Sequence, residues 1–247
     1  MSASRYAVQT LKWSAIGTNL YIFGKWNVFR PPIEAKRDGK YDPNSRAYIA
    51  AQLLHQRYMF DNFTISRRNV DEGRWYTMLT SALSHKDLTH LAVNMFMLHQ
   101  ATSIGTYVGL GPIRLATLAL GSALGGSVGA LYDNTQRIRA GEPDVPGLGA
   151  SGMVQGMLVA TMLAAPRLPM QIFFIPIDIS YRAVVGGFLA WDMYKLYEER
   201  RRGDRKKSGW SGSYVGYAAH LGGAAFGAAF YLVAMRRGRP MPRIRSF

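Results

Sequence analysis

Three groups of residues in this sequence have the types and spacing that acyl-transfer chemistry needs. The first is Gly149-Ala150-Ser151-Gly152, inside a stretch from Val145 to Pro166 with no Asp, Glu, Lys or Arg. Pro146 and two glycines precede the serine, and an apolar run at helical spacing (Met153, Val154, Met157, Leu158, Met162, Leu163) follows it. Ser151 is therefore expected at a helix N-terminus. That end offers unpaired N–H groups and the positive pole of the backbone dipole, which suit developing negative charge. A serine there also serves as a simple cap, so the string by itself fits a nucleophile or a cap. The second group is His90 and Asn94, four residues apart and so on one helix face. They lie in the charge-free stretch Leu88–Ile113, where polar side chains are costly and often functional, although they could simply bond across helices. The third is His220, among Ala218, Ala219, Gly222, Gly223 and Gly227. Small neighbours let another helix approach the imidazole closely, and the same pattern fits an interior histidine beside a packing motif.

A serine hydroxyl is a weak nucleophile until a base takes its proton, and the oxyanion that follows needs fixed donors. A serine, a histidine and a His/Asn pair are the parts of a serine hydrolase. No metal or cofactor is expected. His85 and His90 are five apart, poor ligand spacing on a helix, and HKDLTH does not match H-E-x-x-H. The absence of cysteine excludes disulfides, thiolate zinc and a cysteine nucleophile.

The elements that must position these groups follow from where charge is missing. The formal charge of +15 and pI near 10.2 point first to a nucleic-acid partner. Yet the segments 88–113, 115–132, 145–166 and 208–235 hold no Asp, Glu, Lys or Arg, and each is about the length that spans a bilayer, ~20 residues. The basic residues belong to the connections between them, which excludes the nucleic-acid reading. The fold class expected is an all-α, polytopic membrane helical bundle, one domain over 1–247 with a basic tail at 236–247. Six spans are placed at 8–26, 88–108, 112–132, 149–165, 180–197 and 214–235. Lys12 and Lys25 bracket the first and can snorkel to the interfaces. In the long connection from Asn27 to Leu88, Pro31-Pro32 stops the helix, and residues 47–63 read as an amphipathic helix on the membrane surface. Residues 133–148 and 198–213 read as polar loops, and Pro166, Pro169 and Pro176 break the connection after the fourth span. The start MSASRYAVQT carries no cleavable signal pattern. Spans two, four and six run in one direction, so His90, Ser151 and His220 all fall toward one membrane face, with His220 about two turns in.

With these residues in place, the sequence resembles the rhomboid family of intramembrane serine proteases. The resemblance is carried by GRWYTMLTSALSHKDLTHLAVNMFML (73–98), GASG (149–152) and AAHLGGAAFG (218–227). Three motifs in order and spacing make it specific, and TSALSH and AAHLGG are closest to the mitochondrial, presenilin-associated rhomboid-like type. The resemblance implies Ser151 as nucleophile and His220 as general base, a dyad without a carboxylate. The Ser151 N–H with the His90 and Asn94 side chains would form the oxyanion hole. Gly149 would allow a tight turn, and Gly152, Gly223 and Gly227 would allow close helix packing. Substrates would be transmembrane helices of other proteins, unwound before attack. A catalytically inactive, client-binding relative is the alternative the resemblance leaves open. Gln155 stands where many bacterial members carry an aromatic residue packed on the histidine. The family's Trp-Arg pair appears as Arg74-Trp75, and the extra N-terminal span of the mitochondrial type is not seen.

Nineteen of the thirty basic residues fall on the face that carries the first, third and fifth connections. Positive connections stay on the side of synthesis, so the catalytic mouth of a mitochondrial inner-membrane protein is expected toward the matrix. Asp192, a carboxylate within the fifth span, is a functional candidate by its position. Pairing with Lys195 or a loop arginine is the expected role.

Overall fold

A computed structural model describes residues 3–28, 34, 36–37, 40–172, 175–203 and 216–236. The first helix, α1 (Ala3–Asn27), starts several residues before the expected span. Lys12 therefore sits within it rather than at its edge, 6% exposed, with its ammonium 5.1 Å over the Trp13 ring. A short hairpin, β1 (Lys36–Arg37) with β2 (Lys40–Tyr41), follows. Then come α2 (Arg46–Phe63), α3 (Arg67–Asp71), α4 (Thr77–Thr80) and a 3₁₀ turn (Ser81–Leu83). Ser45 caps α2 by accepting from the Tyr48 N–H, and Ser66 caps α3 by accepting from the Asn69 N–H.

The helices that carry the polar motifs follow: α5 (Leu88–Tyr107), α6 (Pro112–Arg139), α7 (Ser151–Ala164), α8 (Tyr181–Arg202) and α9 (Tyr217–Phe230), the last continuing into a π-turn at Tyr231–Met235. The Asp87 side chain caps α5, and Pro112 opens α6, where its missing N–H costs nothing. Gly203 ends α8 in the left-handed conformation. A second hairpin, β3 (Pro169–Ile172) with β4 (Ile175–Ser180), joins α7 to α8 where the prolines suggested only a broken connection. The all-α expectation is thus met for the bulk of the chain, with two small hairpins added. The expected polar loop 133–148 is helical as far as Arg139, because Asp133 and Arg137 pair one turn apart inside α6. The basic tail after Arg236 and the connection 204–215, including the start expected for the last span, lie outside the described residues.

Among the described residues, two helices are long and apolar enough to cross a bilayer, Pro112–Arg139 and Tyr217–Met235; Ser151–Ala164 is apolar but shorter. The histidines, Asn94 and Gln100 interrupt the apolar run of α5, and α8 carries Asp192, Lys195, Glu198 and Glu199.

Helices α6, α7 and α9 form the centre and pack most closely on one another. Leu91, Leu98, Leu118, Met157, Leu158 and Val185 are among the buried residues around them. Glycine is the reason for the closeness. A Cβ on Gly223 would overlap the Gly152 carbonyl oxygen, and one on Gly227 would overlap that of Gly156. Backbone thus meets backbone along the α7–α9 seam, the packing small residues permit. That seam sets the distance between Ser151 and His220.

Candidate active site

Ser151 opens α7 and His220 lies in the first turn of α9, about one turn from its start rather than the two expected. Ser151 Oγ is 2.9 Å from His220 Nε2. The other ring nitrogen, Nδ1, is 3.1 Å from Asp192 Oδ2 of α8. A carboxylate at Nδ1 holds a proton on that nitrogen, and the Nε2 lone pair then faces the serine hydroxyl. Asp192 therefore does not have the expected partner: Lys195 pairs with Glu198 instead. The arrangement is a Ser–His–Asp chain, with a carboxylate beside the two residues that the resemblance paired without one. The signal was an acid within a stretch long enough to span a membrane, but its spacing to His220 depends on how α8 docks. Tyr217, buried, meets the His220 ring edge-on with centroids 6.4 Å apart, so an aromatic one turn earlier on α9 supports the imidazole. Gln155 is buried in α7, and its Nε2 has no partner among the described residues.

His90 and Asn94 come from the first two turns of α5. The Asp87 carboxylate takes the His90 backbone N–H at 2.8 Å and fixes the start of that helix. The His90 ring lies against Gly149, whose φ is +125°; a Cβ there would come within 2.5 Å of the ring. Glycine is thus required twice, for the backbone angle and for the space. Asn94 is 5% exposed, and its Nδ2 donates to the His90 carbonyl at 2.8 Å. The side-chain amide has a second hydrogen to give. His90, Asn94, Gly149, Ser151, Gly152 and His220 all line one cavity of about 610 Å³.

The connection before α5 supplies what the sequence did not reveal. The Gly149 N–H donates to the Ser81 carbonyl at 2.9 Å, and the Ala150 N–H to His85 Nε2 at 3.2 Å. Ile65 and Gly147 exchange two backbone bonds of 2.8 Å. Three points of the first connection thus grip the segment leading into Ser151. His85 is completely buried and stacks edge-on against His90 at 4.8 Å. To accept at Nε2 it must be neutral with its proton on Nδ1. Burial, and secondarily the nearby His90, holds its pKa down from 6.5 to about 3. Its sequence signal was a histidine at an odd interval from His90, which reads as a failed metal motif. Arg74 braces the same connection, donating to Asn69 Oδ1 at 3.0 Å and to Glu72, while Trp75 is exposed. Residues 47–63 of the expected amphipathic helix match α2, which keeps Leu53, Leu54 and Tyr58 exposed.

Chemically, a hydroxyl hydrogen-bonded to an imidazole, at the positive end of a helix and beside a His/Asn pair, can attack a carbonyl and receive the resulting oxyanion.

The family model described as the Rhomboid domain matches residues 72–237. The chain is 34% identical over 209 residues to "RHOMBOID-like protein 12, mitochondrial" of Arabidopsis thaliana, covering 79% of this chain and 57% of that protein. It is 25% identical over 224 residues to "Rhomboid protein 1, mitochondrial" of Saccharomyces cerevisiae, covering 90% and 52%. It is 30% identical over 175 residues to "Presenilin-associated rhomboid-like protein A, mitochondrial" of Danio rerio, covering 70% and 40%. The chain spans about half the length of the curated relatives it matches.

Proposed function

The chain belongs to the rhomboid family, and from that premise we propose that it is an intramembrane serine endopeptidase that cuts transmembrane helices of other membrane proteins. The observation that carries the reading is the 2.9 Å contact between Ser151 Oγ and His220 Nε2, made by residues of two different helices. In this reading α1, α5, α6, α7, α8 and α9 are the six spans. The polar groups within α5 and α8 include those that serve the site: His90 and Asn94 on α5, Asp192 on α8.

The proposed reaction runs as follows. A substrate helix must unwind, since its carbonyls are bonded internally and cannot be approached otherwise. Ser151 Oγ attacks the exposed carbonyl while His220 Nε2 takes its proton. Asp192 holds the imidazole in the required tautomer and stabilises the imidazolium that forms. The negative charge moves to the carbonyl oxygen, where the Ser151 N–H at the start of α7 and the His90 and Asn94 side chains receive it. His220 then gives its proton to the departing amine. Water enters from the membrane face to hydrolyse the acyl-enzyme, with His220 again the base.

The mitochondrial relatives support placing the protein in a mitochondrial membrane, and the charge of its connections supports an inner-membrane location with the mouth toward the matrix.

The test is cleavage of a panel of transmembrane-helix substrates in proteoliposomes by the protein and by Ser151→Ala. Loss of cleavage in the variant, on the order of 10⁶-fold in kcat as for other activated serines, supports the protease. Equal cleavage by both, or none by either, favours a client-binding protein without catalysis.

A further inference from the structure

We propose that Arg137 is a positioning residue for this reaction: through Glu199 it fixes the seating of α8 and so holds Asp192 against His220. The inference rests on the serine-protease reading above.

Beyond Val185, the only buried residues of α8 are Asp192 and Glu199. The three stand seven apart, a single inward stripe. Trp191, Met193, Tyr194 and Tyr197, on the other sides of the helix, are exposed. The second half of α8 is therefore seated on the bundle by two carboxylates rather than by an apolar face. Asp192 meets His220. Glu199 Oε2 accepts from Arg137 Nη2 of α6 at 2.8 Å, and both side chains are 7% exposed. The same guanidinium donates through Nε to Asp133 Oδ2 at 2.9 Å and through Nη1 to Glu142 Oε2 at 3.1 Å. Arg200 of α8 returns to Asp133 at 3.5 Å. Arg137 thus ties α6, the segment leading toward Ser151 and α8 into one fork, as a planar five-donor group can.

A buried ion pair adds little net stability over an apolar pair, so the consequence of this one is geometric. Glu199 lies two turns beyond Asp192 on one rigid helix, so its height and rotation are passed to the carboxylate at the imidazole. Misplacement of a reacting group by about 1 Å can cost roughly 100-fold in rate. Arg137 touches neither substrate nor His220; it acts only through α8.

The experiment measures kcat and KM for a transmembrane-helix reporter in proteoliposomes, with the full chain carrying Arg137→Gln, Arg137→Lys or Glu199→Gln, each with and without Asp192→Asn. The expected result is a fall in kcat of about 10- to 100-fold for both Gln variants with KM within about twofold. Arg137→Lys keeps the charge but not the fork to three carboxylates, and recovers only a small part of it. In the Asp192→Asn background the same changes cost less than about threefold more, because the group they position is gone. Full additivity with Asp192→Asn, a change in KM alone, or no change overturns the proposal. Leu118→Ala, a cavity in the core of α6, serves as the stability control: a matching fall in kcat at a matching melting temperature also overturns it. If Ser151→Ala cleaves the reporter as fast as the parent, the protease reading itself has failed. If Ser151→Ala is inactive and the Arg137 and Glu199 variants are fully active, only the positioning role has failed.

Discussion

At the scale of single residues, the site depends on which nitrogen of each histidine carries a proton. His220 needs its proton on Nδ1, toward Asp192, to leave Nε2 open to Ser151. Replacing Asp192 by Asn removes that preference without changing shape, so kcat is expected to fall by about 10²- to 10⁴-fold with KM little changed. Steady-state kinetics on a transmembrane-helix substrate, with melting to show the fold intact, checks this. His85 has the opposite requirement, because its Nε2 must accept from the Ala150 N–H. Its folded pKa of about 3 lies below the ordinary 6.5. The stability it contributes is therefore complete above about 6.5 and is lost as pH falls from there toward 3, where the unfolded chain takes up a proton the folded one refuses. Each pH unit in that window costs up to about 1.4 kcal/mol. Melting in detergent should show the parent losing stability with acid more steeply than His85→Gln, by up to one proton; parallel curves would count against the role given to His85.

At the scale of elements, the seam between α7 and α9 decides whether Ser151 and His220 meet. Gly223 and Gly227 are two turns of contact in which one backbone rests on the other. Gly223→Ala must push the helices apart, since what its Cβ meets is a carbonyl rather than a flexible side chain. Overpacking of this kind costs roughly 1–3 kcal/mol, and the activity loss should exceed what the melting shift alone explains. Gly203→Ala, placed at the exposed end of α8 where φ is +67° but nothing among the described residues lies within 4 Å, should cost stability with little loss of kcat. Comparing the two variants by kcat and melting temperature separates seam geometry from general weakening.

At the scale of the whole molecule, the connection before α5 acts as a brace rather than a tether. Its contacts at Ile65, Ser81 and His85 reach the segment 147–150 that leads into Ser151. The hydrogen bonds place this connection on the same side of the bundle as Ser151, and its basic residues set that side's charge. A protease-accessible tag inserted after Gly203 should be protected in intact mitoplasts and exposed when the membrane is opened. Cleavage of the tag in intact mitoplasts would place the site on the other face.

Much of this was legible in the sequence because apolar length and glycine spacing act locally. The charge-free stretches located α5, α6 and α7, and the glycines of GASG and HLGGAAFG marked where helices approach. Ser151, His220, His90 and Asn94 stood out because a polar group in an apolar stretch is costly wherever the helix docks. What only the tertiary structure decided are pairings across elements. Asp192 is as close to Lys195 along the helix as it is far from His220 along the chain, and only the rotation of α8 chose between them. His85 looked like an ill-spaced ligand until the turn before α5 carried its ring beneath Ala150. A carboxylate or imidazole states its cost in the sequence, but its partner is set by the packing of segments distant in the chain.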